Sequence, residues 1–405
     1  MTVNENNGGD ALGRVATIVQ GAKDLDTSAF RKRLGLFGVP FAVGVAANSA
    51  VSASSLSRTS RAVVSAPFSL MATFFGLALG MGVLGRYVRV GVRGYRIVAA
   101  VSAFLLGFIM VTGAAVRLTG SGLGCPDWPT CKDGDVIPQS GRAAQIEFGN
   151  RVVTGLCILA AALGVLLALV RVPYRRDLVK HGVIISVLIF GNAIVGGVVV
   201  LLHLKSGVVA AHFLLAVASL TAGLVLFHRA GEPGASAGLF GRDRRAAVAG
   251  PLPMATRAAT GLLLLGVVIG TVVSGSGPHS GDPAKTERFP FDLERVAQVH
   301  SGVMWLALAA VVVTAVLASK TVGAHVILRR LTWLMAALVA QGGIGYWQWA
   351  KQLPSGLVQL HIVGAIVCWA TLLWVRAAVW VPAAASTVLE GTRELVRTGA
   401  PGATR

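Results

Sequence analysis

Two ten-residue stretches, KSGVVAAHFL at 205–214 and LPSGLVQLHI at 353–362, begin two long apolar segments in the same way. In each stretch a Ser-Gly pair comes before a histidine, His212 in the first and His361 in the second, at the same distance along the chain. An ionisable side chain inside a membrane segment is costly and by default functional. The repeat therefore predicts two equivalent helices that present an imidazole at the same depth.

The repeat extends to a second pair of segments. IEFGNRVVTG at 146–155 matches RVAQVHSGVM at 295–304, with Asn150 at the place where the later stretch has His300. The distance from that position to the histidine of the next matched segment is 62 residues in the first half and 61 in the second. Two matching helix starts with one spacing predict two halves of the same fold.

The composition indicates an integral membrane protein. Of the 405 residues, 54% are hydrophobic and 13% are charged, whereas a soluble domain carries about 25% charged residues. The formal net charge of +19 does not indicate a nucleic-acid partner, because a basic DNA-binding face needs a soluble scaffold to display it. In a membrane protein, Lys and Arg mark cytoplasmic loops instead.

Eight apolar segments have roughly the length of about 20 residues that a membrane-spanning helix needs. They lie at approximately 96–118, 151–171, 181–203, 207–228, 256–275, 297–319, 328–349 and 356–380. The predicted fold is an all-α integral membrane protein with eight transmembrane helices, arranged as two four-helix bundles. Since each half has four helices, both halves keep the same orientation and are related by a pseudo-twofold axis.

Basic residues cluster in alternate links between these segments, at 171–180, 229–245 and 320–330. This pattern places both termini in the cytoplasm and the loop with Cys125 and Cys131 outside the cell membrane. The predicted domains are an N-terminal extension at 1–95, partly apolar and cytoplasmic or interfacial, a bundle at 96–228, a cytoplasmic linker at 229–255, a bundle at 256–380 and a cytoplasmic tail at 381–405.

Three histidines, His212, His300 and His361, lie in the outer third of predicted helices. Imidazole suits haem iron, and two facing helices of a bundle can hold a macrocycle from both sides. Zinc would need a tetrahedral ligand set, and no third ligand is evident near His300 and His361. A core histidine bonded to a backbone carbonyl remains the structural alternative.

The first half departs from the second at two positions. Asn150 stands where a histidine is expected, and Glu147 lies one turn before it, whereas the second half has Ala297 there. A carboxylate that faces a bundle interior is a candidate acid or base; the alternative is a solvated glutamate at a helix start. The second half therefore resembles a closed electron-transfer centre, and the first half an open site where chemistry takes place.

The stretch VRLTGSGLGCPDWPTC at 116–131, followed by IEFGNR at 146–151 and by the later histidines, resembles the haem A synthase family over residues 96–380. That family oxidises the C8 methyl group of haem O to the formyl group of haem A by successive hydroxylations, for cytochrome c oxidase. The resemblance implies haem b held by His300 and His361, and the substrate haem in the first half. The family's E-x-x-H motif reads Glu147-Phe148-Gly149-Asn150 here.

The resemblance also implies a disulfide between Cys125 and Cys131 near the substrate site. Its role is either redox or substrate positioning, or else ordering of the loop. Cys157 and Cys368 are predicted to be inert packing residues. Four basic residues near the outer edge could bind haem propionates or anchor the chain at the interface: Arg117, Arg151, Lys205 and Arg295.

The implied partners are haem O, haem O synthase, cytochrome c oxidase assembly factors, the lipid bilayer and further copies of the chain, with no nucleic acid. Two other functions fit the helical pattern. A dihaem cytochrome that only passes electrons predicts two fully ligated haems, and Asn150 argues against it. A transporter built from a parallel repeat predicts no bound chromophore.

Overall fold

The computed structural model describes residues 88–232, 244–248, 250–279, 281 and 287–382, together with 42–47, 49–51, 53–54, 76 and 80. Almost all of the predicted N-terminal extension and the tail from residue 383 lie outside the described residues. The described part contains the helices that the repeat predicts and most of the links between them.

Eight long helices and two short strands make up the described fold. They are α1 (Val92–Leu118), α2 (Arg142–Leu169), α3 (Arg176–Leu201), α4 (Ser206–Ala230), β1 (Arg244–Ala246), α5 (Leu252–Ser276), α6 (Leu293–Ser319), α7 (His325–Ala350), α8 (Ser355–Val379) and β2 (Trp380–Pro382). Seven of these helices, all but α7, are long and apolar enough to cross a membrane. The prediction of an all-helical, multi-pass membrane protein is confirmed at this level.

The two strands were not predicted. β1 pairs with β2 in antiparallel fashion, with Arg244 opposite Pro382. The segment that follows α4 and the segment that follows α8 therefore meet at one end of the molecule. Strands of three residues carry too little pattern to be recognised in a sequence.

All eight helices begin earlier than their apolar segments suggest, and α2 differs most. The predicted start of the second helix was residue 151, but α2 begins at Arg142. α6 begins at Leu293, where the side chain of Asp292 accepts a hydrogen bond from the Arg295 N–H group. The added turns contain Arg, Gln and Glu, which favour helix without being apolar. The predicted segment 297–319 places His300 in the first turn of its helix, whereas in α6 about two turns precede it.

Four links meet at the end of the molecule that we call the cysteine-loop end, after the link at 119–141. There the Gly122 N–H group donates to the Gly281 carbonyl oxygen at 3.2 Å, and the side chain of Leu204 packs against both glycines. His279 Nε2 lies 2.7 Å from the Leu353 carbonyl oxygen. The links after α1, α3, α5 and α7 therefore share one end, as alternating helices require.

The helices pack mainly within each half. Each helix contacts the next one along the chain, and in addition α1 contacts α4 and α5 contacts α8. Contacts between the halves involve α1, α4, α5 and α8. Glycines allow helices to approach closely. Between α1 and α4, within the first half, a β-carbon at Gly223 would lie 2.7 Å from Leu106 Cδ1.

Candidate functional site

Each predicted imidazole lies against a glycine of the helix that precedes its own. A β-carbon added to that glycine would lie between 3.0 and 3.3 Å from the Cε1 atom of the ring, which is closer than most real contacts of this kind. The three pairs are Gly196 with His212, Gly270 with His300 and Gly345 with His361. The equivalence of the two halves therefore extends to how their histidines pack.

The structure brings His300 and His361 together. Their ring centroids are 6.5 Å apart and their planes differ by 71°. A bond of about 2 Å from metal to nitrogen, with roughly 1 Å more from nitrogen to ring centroid, places two imidazoles on opposite sides of one metal ion about 6 Å apart. The two rings thus have about the separation expected of two imidazoles that would bind one metal ion.

The surroundings of this pair also fit a ligand role. The Nδ1 atom of His361 is buried and has no hydrogen-bond partner in the described part of the chain, so a core histidine satisfied by a carbonyl does not describe it. Within the same residues, no three His, Cys, Asp or Glu side chains gather into a metal-binding group. A pair of imidazoles would suit haem iron, because the macrocycle supplies the remaining ligands.

Asn150 occupies the equivalent position in the first half. It lies beside Gly113 on α1, and its Oδ1 atom accepts a hydrogen bond from the Thr112 hydroxyl at 2.7 Å. Thr112 was not singled out in the sequence, although it directly precedes the glycine. His212 lies against Gly196 as described. Asn150 and His212 therefore each have a counterpart in the second half, His300 and His361.

Glu147 is buried and faces the cysteine loop. It is only 5% exposed; its Oε2 atom accepts the Cys125 N–H group at 2.8 Å, and its Oε1 atom accepts Arg151 Nη2 at 2.7 Å. The alternative of a solvated glutamate at a helix start is therefore wrong. Because α2 begins at Arg142, the carboxylate lies inside the helix and is held by two donors.

Arg151 ties the loop to α2. Besides the bond to Glu147, its guanidinium donates to four loop carbonyl oxygens: that of Thr130 at 2.7 Å, those of Cys125 and Asp127 at 3.1 Å and that of Pro129 at 3.4 Å. These bonds engage most of its donors. The structure therefore gives Arg151 a role in holding the loop, which its position near the outer edge did not suggest.

The loop packs against α3 at Gly197, the residue that follows the glycine against which His212 lies. Cys125 and Cys131 are joined by a disulfide with an S–S distance of 2.04 Å, and both are buried. The indole of Trp128, between them in the sequence, packs against Gly197 on α3: a β-carbon there would lie 2.4 Å from Trp128 Cδ2. Trp128 was missed in the sequence, since nothing in the repeat marks a loop residue that packs on a helix.

The other candidate basic residues do not gather at one site. Arg117 donates two hydrogen bonds to Ser274 on α5, through Nη1 and Nη2. Lys205 forms an exposed ion pair with Glu287 at 3.7 Å, and Arg295 is exposed on α6. Two further predicted packing residues are confirmed as buried free thiols, Cys157 and Cys368.

Thiol labelling checks the disulfide. In unreduced membranes we expect neither Cys125 nor Cys131 to react with a maleimide, and both to react after reduction and denaturation. A variant with serine at 157 and 368 removes the background from the buried thiols. Labelling of this variant without reductant would show that the two loop cysteines are free.

Comparison with known proteins agrees with the resemblance in the sequence. A family model described as Cytochrome oxidase assembly protein matches residues 96–280. The chain is 34% identical to a haem A synthase of Bacillus pumilus over 32% of this chain and 43% of that protein. It is 30% identical to a haem A synthase of Macrococcus caseolyticus over 30% of this chain and 41% of that protein.

A shorter match involves a protein with a different name. A stretch of 54 residues, 13% of this chain, is 46% identical to 9% of a protohaem IX farnesyltransferase of Thermus thermophilus. The matches to the haem A synthases cover less than half of the length of those relatives.

Proposed function

We propose that the chain is a member of the haem A synthase family, to which residues 96–280 are similar, and that it oxidises the C8 methyl group of haem O to the formyl group of haem A. The observation that carries the proposal is the His300–His361 pair, whose 6.5 Å separation fits two imidazoles that would bind one iron. The product would serve cytochrome c oxidase biogenesis.

In the second half, His300 and His361 would hold haem b. This group supplies one-electron chemistry when bound. The chain's own contribution is to fix both rings: Gly270 and Gly345 leave room for them, and the Gln341 Nε2 group donates to the His361 carbonyl oxygen at 2.7 Å. Such fixed orientation of the ligands is what tunes a metal site.

In the first half, His212 would hold the substrate haem from one side. Asn150 stands at the equivalent of the second ligand, and its amide oxygen is already engaged by Thr112. An amide is a poor iron ligand compared with imidazole, so this face of the substrate would stay open. A dihaem cytochrome that only passes electrons would need a second imidazole here, which makes that alternative the weaker one.

Glu147 would handle protons or position the substrate in this open half. The carboxylate holds the backbone of Cys125 and the guanidinium of Arg151, and Arg151 holds the rest of the loop. Through these bonds it fixes the loop that places Trp128 next to the His212 position. The disulfide between Cys125 and Cys131 would restrain the same loop.

The proposal includes an arrangement in the cell membrane. Eight transmembrane helices would form two pseudo-twofold-related four-helix bundles, at 96–228 for the substrate haem and at 256–380 for haem b. Both termini, the linker at 229–255 and the tail at 381–405 would be cytoplasmic, with the extension at 1–95 cytoplasmic or interfacial. Haem O synthase and oxidase assembly factors are the proposed partners, and the chain would form a homo-oligomer.

Haem extraction tests the proposed function. Membranes from a host that makes haem O but lacks its own haem A synthase should contain haem A when this chain is expressed, and haem O alone without it. Chromatography of the extracted haems measures both. Expression at normal levels with no haem A would contradict the proposed activity.

Asn150→His tests whether position 150 faces the substrate iron. We expect the spectrum of the bound substrate haem to shift towards six-coordinate low spin, because a second imidazole would face His212. Asn150→Ala is the control, since it removes the bond to Thr112 without adding a ligand, and should leave the coordination number unchanged. An unchanged spectrum in Asn150→His would mean that position 150 points elsewhere.

A further inference from the structure

The two halves carry an amide side chain at equivalent positions of α3 and α7. Asn192 lies four residues before Gly196, and Gln341 lies four residues before Gly345. Residues four apart share one face of a helix, so each amide lies one turn from a glycine that packs on a proposed ring ligand. The backbone of Asn192 also approaches the His212 ring. Each amide therefore borders one proposed haem site.

The amide of the second half is held by the protein. Gln341 Nε2 donates to the His361 carbonyl oxygen at 2.7 Å. Gln341 Oε1 finds no donor within the residues that the structure describes, but it lies so close to Gly364 on α8 that a β-carbon there would overlap with it. The protein thus fills the place beside this oxygen, and the amide belongs to the packing of α7 against α8.

The amide of the first half is placed differently. Asn192 Oδ1 is buried and has no hydrogen-bond partner among the described residues. Asparagine is one methylene shorter than glutamine, and Leu215 stands at the place of Gly364, three residues after the histidine of its helix. Leu215 Cδ2 reaches α3 beside Asn192, at 4.0 Å from a β-carbon built on Gly191. The gap that admits the longer amide in the second half is therefore closed by an apolar side chain here.

The depth of Asn192 indicates which part of a bound haem it would meet. α3 ends at Leu201 near the cysteine-loop end, so Asn192 lies about 6 Å further from that end than Gly196, at 1.5 Å per residue. The two propionates of a haem are charged, and charge costs least near the membrane surface. They would face the cysteine-loop end, and the opposite edge of the macrocycle would face Asn192.

Haem O and haem b differ at this opposite edge. One vinyl group of haem b is replaced in haem O by a chain that carries a hydroxyl group next to the ring and then a farnesyl tail. This hydroxyl is the only polar group on the edge remote from the propionates. The half proposed for haem b has its amide bonded to the protein, whereas the half proposed for haem O keeps its amide available. The difference between the two amides thus matches the difference between the two haems.

We propose that Asn192 forms a hydrogen bond with the side-chain hydroxyl of haem O and so selects haem O over haem b in the first half. The inference rests on the proposed function, which makes haem O the substrate. A hydroxyl group can donate to the amide oxygen and can accept from the amide nitrogen. A site that bonds a substrate hydroxyl rejects an analogue without it, because the buried polar group of the protein is then left without a partner.

Haem titration of the full-length protein in nanodiscs tests this selection. With haem b already in the second half, the absorbance change on addition of haem O or haem b gives a dissociation constant for each haem in the first half. The wild-type protein should bind haem O more tightly. Asn192→Leu keeps the size of the side chain without the amide. It should weaken haem O binding about tenfold, the effect of one lost hydrogen bond of average strength, and should not weaken haem b binding.

Two further variants control for other effects. Ser186→Ala removes a hydroxyl group on the same helix that donates to the Gly182 carbonyl oxygen, and it should leave both dissociation constants unchanged. Asn192→Ala adds no bulk near His212 and should lose the preference for haem O as Asn192→Leu does. The haem b content of the second half, per mole of protein, shows that each variant is folded.

Three results separate the possible explanations. Equal dissociation constants for the two haems in the wild-type protein, as expected if water meets the amide, would overturn the inference. An Asn192→Leu protein that binds both haems more weakly by the same factor would overturn it too, because Asn192 would then only support His212. Since binding does not require turnover, a preference for haem O that Asn192→Leu removes, in a chain that makes no haem A, contradicts the proposed oxidation alone.

Discussion

Replacing His300 or His361 with alanine is expected to remove haem b while the chain still inserts into the membrane. Each ring would supply one of the two ligands of the proposed haem b, and their 6.5 Å separation fits that role. Changes to residues that merely support a metal ligand cost about 10–100-fold in affinity, so loss of a ligand should lower haem b occupancy by more than about tenfold. The absorbance of low-spin haem b per mole of purified protein measures the effect.

His325→Ala is the matched control for these variants. His325 is an exposed histidine at the start of α7, far along the helix from Gly345, which packs on His361. Its loss should therefore leave haem b in place. Helix content from circular dichroism separates a lost ligand from a lost fold. A bis-histidine spectrum in both His300→Ala and His361→Ala, with normal helix content, would disprove the ligand assignment.

Glu147→Ala is expected to abolish most haem A formation and to spare haem b. Loss of one partner from a buried ion pair costs about 3–5 kcal/mol, and we expect the lower end because the Arg151 side chain keeps 20% of its exposure. The variant should destabilise the cysteine loop, which Glu147 contacts through Cys125. It should not disturb His300 and His361, which lie on α6 and α8. The ratio of haem A to haem O should therefore drop by about tenfold or more, an effect of at least about 1.4 kcal/mol.

Glu147→Gln separates the two roles proposed for this residue. The amide keeps the side chain's size and can still accept the Cys125 N–H group, but it cannot take up a proton. Partial recovery of haem A would assign Glu147 to positioning of the loop, and activity as low as in Glu147→Ala would assign it to proton handling. Wild-type yield in Glu147→Ala would remove the residue from the reaction. Glu287→Ala, at an exposed ion pair, should have no effect.

Much of the architecture follows from the sequence alone. Apolar length and the spacing of the repeat predicted where the long helices lie, because a bilayer demands about 20 apolar residues per crossing. The repeat also paired His212 with His361 and aligned their glycines, since equivalent helix faces keep equivalent positions. The start of α2 could not be predicted in this way. Its first turns contain Arg142, Gln145 and Glu147, so they are helical without being part of an apolar run.

Contacts between segments far apart in the sequence were decided only by the tertiary structure. Hydrophobic periodicity reports which face of a helix is buried, but it does not report which partner meets that face. The sequence by itself therefore determined the helices, the repeat and the candidate ligands. Only the packed structure showed that Glu147 and Arg151 hold the cysteine loop and that Trp128 covers Gly197.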